Sequence, residues 1–101
     1  MTMPKLVRDR IPELVRANGE EPVTEIADVQ RYRELLRDKL SEEVAEFLES
    51  GEVEELADIM EVLHALAQAA GVSPAELERI RAGKAAERGG FADRVVLLDV
   101  R

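Results

Sequence analysis

The chain has 101 residues, with 22 Asp+Glu against 14 Lys+Arg, a formal charge of −8 and a pI near 4.7. That length accommodates one domain, residues 1–101, with one modest core, and 46% hydrophobic residues argue against disorder despite 36% charged ones. Aromatics are 3% and acid is in excess, so a nucleic acid polymer would find neither stacking platforms nor a basic face.

Residues 5–18 (KLVRDRIPELVRAN) read as a basic start leading into a helix, with Pro12 in a first turn and Gly19 as a stop. Residues 20–27 form a connector that contains Pro22 and, at Val23–Ile26, some extended character. Asp28 is placed to cap a long helix from about Val29 to Glu49, which Ser50-Gly51 breaks. A second long helix runs from about Glu52 to Ala70 and is closed by Gly71. Ser73-Pro74 with Glu76 is a capping box that starts a third helix, to about Arg88. After Gly89-Gly90, the run Val95–Leu98 (VVLL) fits either a short strand or a terminal packing arm.

The expected fold is therefore all-α. Leu36, Leu40, Val44 and Phe47 recur at helical spacing on the first long helix, and Leu56, Ile59, Met60, Leu63, Leu66 and Ala67 on the second. A break this short folds the two helices back as an antiparallel hairpin, stripe on stripe. Met60 and Phe47 are expected in the core, with Phe91 as a plug behind the two glycines; Tyr32 and Phe91 are also the aromatics that could touch a base. His64 is expected to be packed or partly exposed rather than catalytic. A hairpin with one short extra helix cannot cover both faces of its apolar surface, so helices from a partner chain are expected to complete an oligomeric bundle.

Acidic residues are mirrored about the turn. Glu42-Glu43-x-x-Glu46 precedes it and Glu55-x-x-Asp58 follows it. At about 100° per residue, Glu43, Glu46, Glu55 and Asp58 fall on the same side of the hairpin and at matching levels, as a square at the edge of the seam. Four like charges at that spacing oppose folding unless a counter-charge is present. A hard divalent cation supplies one. The lack of Cys, and of a usable His, favours Mg²⁺ or Mn²⁺ over zinc. Glu-rich helices are more often simply solvated faces, so spacing alone leaves a metal site and an acidic surface both open.

Here the sequence resembles a known family. KLSEEVAEF followed by EELADIMEVLHAL is similar to the EExxE…ExxD signature of the MazG-like, all-α nucleoside triphosphate pyrophosphohydrolases. KLVRDRIPEL near the start and KAAERGGF near the end resemble a small single-domain branch of that superfamily. The resemblance implies that Glu43, Glu46, Glu55 and Asp58 hold Mg²⁺, with Mn²⁺ as a substitute. It also implies that a nucleoside triphosphate is split between its α- and β-phosphates into a monophosphate and pyrophosphate, as nucleotide-pool house-cleaning. Glu42, the first acid of EExxE, becomes a candidate general base, against the alternative of a solvated surface Glu. A related enzyme, phosphoribosyl-ATP pyrophosphohydrolase of histidine biosynthesis, uses a similar carboxylate hairpin and is the alternative activity. A non-catalytic helical dimerisation module is the alternative from another class.

A triphosphate also needs cations from the protein. Lys5, Arg8 and Arg10 form one basic cluster, and Lys84, Arg88 and Arg94 form another around Gly89-Gly90. The competing readings are surface pairing with Asp9 and Glu13 for the first, and favourable charge at a helix C-terminus for the second. The family resemblance implies a homodimer or homotetramer with sites near the interface. No apolar run approaches the length of a membrane span, and the charges in MTMPKLVRDR stand where a signal peptide would be apolar. A cytoplasmic protein without a membrane partner is expected.

Overall fold

A computed structural model describes residues 4–101. It contains four helices: α1 (Ile11–Ala17), α2 (Val29–Ser50), α3 (Val53–Ala69) and α4 (Pro74–Arg88). The caps follow the local chemistry. Asp28 Oδ1 accepts the Arg31 backbone N–H at 2.8 Å and starts α2. Gly51, at φ 69°, takes the left-handed conformation that ends α2, and the Ser50 hydroxyl accepts the Glu52 N–H at 3.1 Å across the turn. Ser73 Oγ accepts the Glu76 N–H at 3.1 Å, with Pro74 in the first turn of α4.

Gly51 and Glu52 alone separate α2 from α3, so the two helices fold back on each other and pack along their length. Arg33, near the start of α2, donates to the Ala69 carbonyl at 3.1 Å. This bond closes the open end of the hairpin and satisfies a carbonyl that has no partner inside α3. α4 packs on α3 and not on α2. No helix among the described residues is long and apolar enough to cross a membrane.

The core is thin. Leu36 (2% exposed) and Val62 (8%) are its buried hydrophobic residues. The sequence had suggested a different face of α3. Val62 is the residue turned to α2, whereas Met60 is 56% exposed and Leu56 and Leu63 are also open. α3 is apolar on nearly every side, from Leu56 through Ala69, so periodicity does not choose which face meets α2. The face that does meet α2 is marked by carboxylates: Glu55 and Asp58 share it with Val62 at spacings of three and four, as Leu36, Lys39 and Glu43 share a face on α2.

Two expectations for the C-terminus fail. Among the described residues there is no strand, and Val95–Leu98 is irregular and exposed. Phe91 is 98% exposed and plugs nothing. An isolated apolar tetrapeptide has no ladder partner in this all-helical chain, and the two glycines let the backbone leave α4 without returning to it. Val23 and Ile26 in the connector are likewise irregular and open.

A candidate carboxylate metal centre

Five acids converge in the half of the hairpin nearer the turn. Glu42, Glu43 and Glu46 of α2 each offer an oxygen, all within 4.8 Å of one another. Glu43, Glu55 and Asp58 do the same across the seam. The two triads share Glu43. The expected square is thus two triangles on a common corner, with Glu46 joined to the α3 acids through Glu43. The corner also sits deeper than expected: Glu43 is 8% exposed, inside the seam in line with Leu36 rather than at its edge.

Burial and like charge act together on this residue. Removal from water, with Glu46 adding to it, raises the Glu43 carboxyl above its ordinary value of 4.5, and Lys39 opposes the shift. Lys39 Nζ lies 3.4 Å from both Glu43 and Glu42. One Glu43 oxygen, Oε2, is buried with no hydrogen-bond partner. A buried carboxylate oxygen without a donor is costly, and it is the kind of atom a cation satisfies.

The basic start of the chain reaches the same place. Arg8 donates to Asp58 Oδ1 at 2.7 Å, and Lys5 Nζ lies 3.7 Å from Glu42. These contacts join residues 37 and 50 positions apart in the sequence and separate Lys5 and Arg8 from Arg10. Arg10 pairs with Glu13 at 3.3 Å on the surface, as its competing reading had it. Lys84 and Arg88 lie on α4, which packs on α3 alone, and Arg94 follows in the irregular tail. None of these three pairs with the five acids among the described residues.

Beside the acids is an open cleft of about 280 Å³, whose lining includes Arg8, Lys39, Glu43 and Asp58 at one end and Tyr32, Ala65 and Gln68 beyond them. Tyr32 therefore stays a candidate for touching a base, whereas the exposed Phe91 does not line this cleft. Lys39 is the residue that sequence reasoning passed over. Its signal was available: it precedes Glu42 and Glu43 by three and four residues, the helical spacing at which side chains meet. His64 is half-buried and lines a groove on the opposite side of α3, away from the acids.

Comparison with known proteins adds little to this geometry. No family model matches the chain, and no solved structure matches it. An uncharacterised protein of Mycolicibacterium smegmatis (strain ATCC 700084 / mc(2)155) is 54% identical over 44 residues, which is 44% of this chain and 45% of that protein. The chain thus matches less than half the length of that relative.

Proposed function

We propose that this chain is a Mg²⁺-dependent nucleoside triphosphate pyrophosphohydrolase of the MazG-like kind, cytoplasmic and concerned with clearing nucleotides from the pool. The observation that carries the proposal is the buried, unpartnered Oε2 of Glu43 at the corner shared by two carboxylate triads. The donor set is all oxygen, which suits Mg²⁺ or Mn²⁺ and not a thiolate-seeking metal. Glu43, Glu46, Glu55 and Asp58 would hold the ion. Bound there, the metal supplies charge neutralisation for the polyphosphate and a lowered pKa for a water molecule.

The remaining work falls to the chain's own side chains. Arg8 and Lys5 are tethered at the acids by ion pairs that can be exchanged for phosphate oxygens when a substrate arrives. Glu42 is held between Lys5 and Lys39 and accepts the proton of the attacking water. Attack at the α-phosphorus then breaks the bond to the bridging oxygen, and pyrophosphate leaves. Lys39 balances the acids from inside the seam while the cleft stays open beside them. Lys84, Arg88 and Arg94 form no ion pair with a carboxylate among the described residues. In the homodimer or homotetramer that belongs to this proposal, they serve a neighbouring copy.

The test is pyrophosphate release with Mg²⁺ across a panel of canonical and damaged nucleoside triphosphates plus phosphoribosyl-ATP. Release that disappears in Glu46→Ala and Asp58→Ala supports the proposal. A clear preference for phosphoribosyl-ATP moves the activity to histidine biosynthesis, and silence across the panel favours a lost or different activity.

A further inference from the structure

Two apolar surfaces stay uncovered in the single chain. One is the groove of about 220 Å³ between α3 and α4, lined by Met60, Leu63, His64, Pro74 and Leu77 and continued along α3 by Leu56. The other is the tail, residues 91–101. In it Phe91, Val95, Val96, Leu97, Leu98 and Val100 are each 75–98% exposed. The tail's hydrogen bonds are all local, such as Arg94 N–H to the Phe91 carbonyl at 3.1 Å, and none reaches a helix among the described residues.

The area involved is large. The chain exposes 9051 Å², whereas a compact chain of its mass exposes about 5,700 Å². The surplus is about 3,300 Å², and stable obligate interfaces remove about 2,000–5,000 Å² from both partners together. One copy therefore carries enough uncovered surface for its side of such an interface. The radius of gyration, 17.7 Å against about 13 Å for a compact chain of 100 residues, says the same in terms of shape.

We propose that a second copy of this chain covers these surfaces, with the tail of each copy lying in the α3–α4 groove of the other. Charge permits it. Asp93 and Asp99 in the tail balance Arg94 and Arg101, so a neutral segment approaches a chain of charge −8. On the groove rim Glu78 and Arg81 are already bonded to each other at 2.7 and 2.8 Å, leaving no lone charge to bury. Length permits it too: eleven extended residues reach about 36 Å, more than the roughly 22 Å of a fifteen-residue helix such as α4. The backbone at Gly89, φ 81° and ψ 176°, leads the tail away from its own helix. The molecule is 60 Å long, where α2, its longest helix, accounts for about 33 Å. A reciprocal exchange buries both surfaces in one closed, two-fold arrangement. The pairing uses none of the five acids; it rests on the oligomer that accompanies the hydrolase proposal and names its surfaces, while pyrophosphate release tests the hydrolase separately.

The test is sedimentation equilibrium of the full-length chain beside full-length Val96→Asp, Leu98→Asp and Met60→Asp, with circular dichroism to verify helix content. The expected parent species has at least twice the 11.3 kDa chain mass. Each variant should weaken association at least tenfold while remaining helical. Val96 and Leu98 are exposed in the lone chain, so those two variants keep the test sharp even if Met60→Asp disturbs α3. A monomeric parent overturns the inference, and so does an oligomer that Val96→Asp and Leu98→Asp leave intact. The first result would mean that each tail is left free or folds onto its own groove; the second, that other surfaces pair.

Discussion

Replacing Glu43 by Gln separates its charge from its shape. In the metal-free chain Glu43 lies within 4.8 Å of oxygens from Glu42, Glu46, Glu55 and Asp58. Each such pair costs about 3.5 kcal/mol at an effective dielectric constant near 20. Lys39, at 3.4 Å, returns about 5 kcal/mol on the same scale, so repulsion wins. The neighbours are partly exposed, and solvent reduces every figure toward 1 kcal/mol; four repulsions less one attraction leave a net relief of about 2–3 kcal/mol on neutralisation. For a domain of this size each kcal/mol moves Tm by about 4–8 °C. Glu43→Gln should therefore melt higher than the parent in chelator, even though it loses the Lys39 ion pair. With Mg²⁺ at a hundred times its Kd, the parent should gain about 2.7 kcal/mol, and Glu43→Gln should lose most of that gain. The pH dependence has a definite sign. A carboxyl raised above 4.5 by folding means that the folded chain holds the proton longer than the unfolded one. The parent thus loses stability as pH rises from 4.5 through the folded value, and Glu43→Gln should flatten that loss. The assay is thermal unfolding by circular dichroism at pH 5 and pH 8, with chelator and with Mg²⁺. A Glu43→Gln chain that melts lower in chelator and keeps the full Mg²⁺ gain refutes the reasoning.

Glu42→Gln should lower kcat by about 10²–10⁴-fold while the Mg²⁺-induced rise in Tm persists, as measured by pyrophosphate release beside thermal melts. Arg8→Ala removes an exposed pair with Asp58, so stability should change by less than about 1 kcal/mol. Its kcat/KM should fall about ten- to hundredfold if Arg8 is exchanged onto phosphate. Leu36→Ala should cost about 2–5 kcal/mol in chemical denaturation, because the core has almost nothing else to fill the space.

The hairpin was legible in the sequence because its punctuation is chemical: Asp28, Gly51 and Ser73 each do locally what their residue type favours. The acids were legible because they flank one turn at mirrored spacing. Their depth was not. Glu43 shares its helical row with Leu36, but a stripe drawn through Leu, Val and Phe alone passes beside that row. The orientation of α3 was hidden by a helix apolar on almost every side, where only Glu55 and Asp58 marked the face that meets α2. The course of Val95–Leu98 was hidden because four apolar residues suit a strand or a packing arm equally well. What they contact depends on surfaces outside their own segment.

The two-residue connection at Gly51-Glu52 also bears on how the chain folds. All five acids lie within one continuous stretch, residues 42–58, so closing a short loop is enough to bring them together. Contacts this local belong to the fast end of folding. The mutual repulsion of the acids therefore opposes hairpin closure itself, ahead of any docking by α4. A cation captured there would speed the formation of the hairpin as well as hold it once formed.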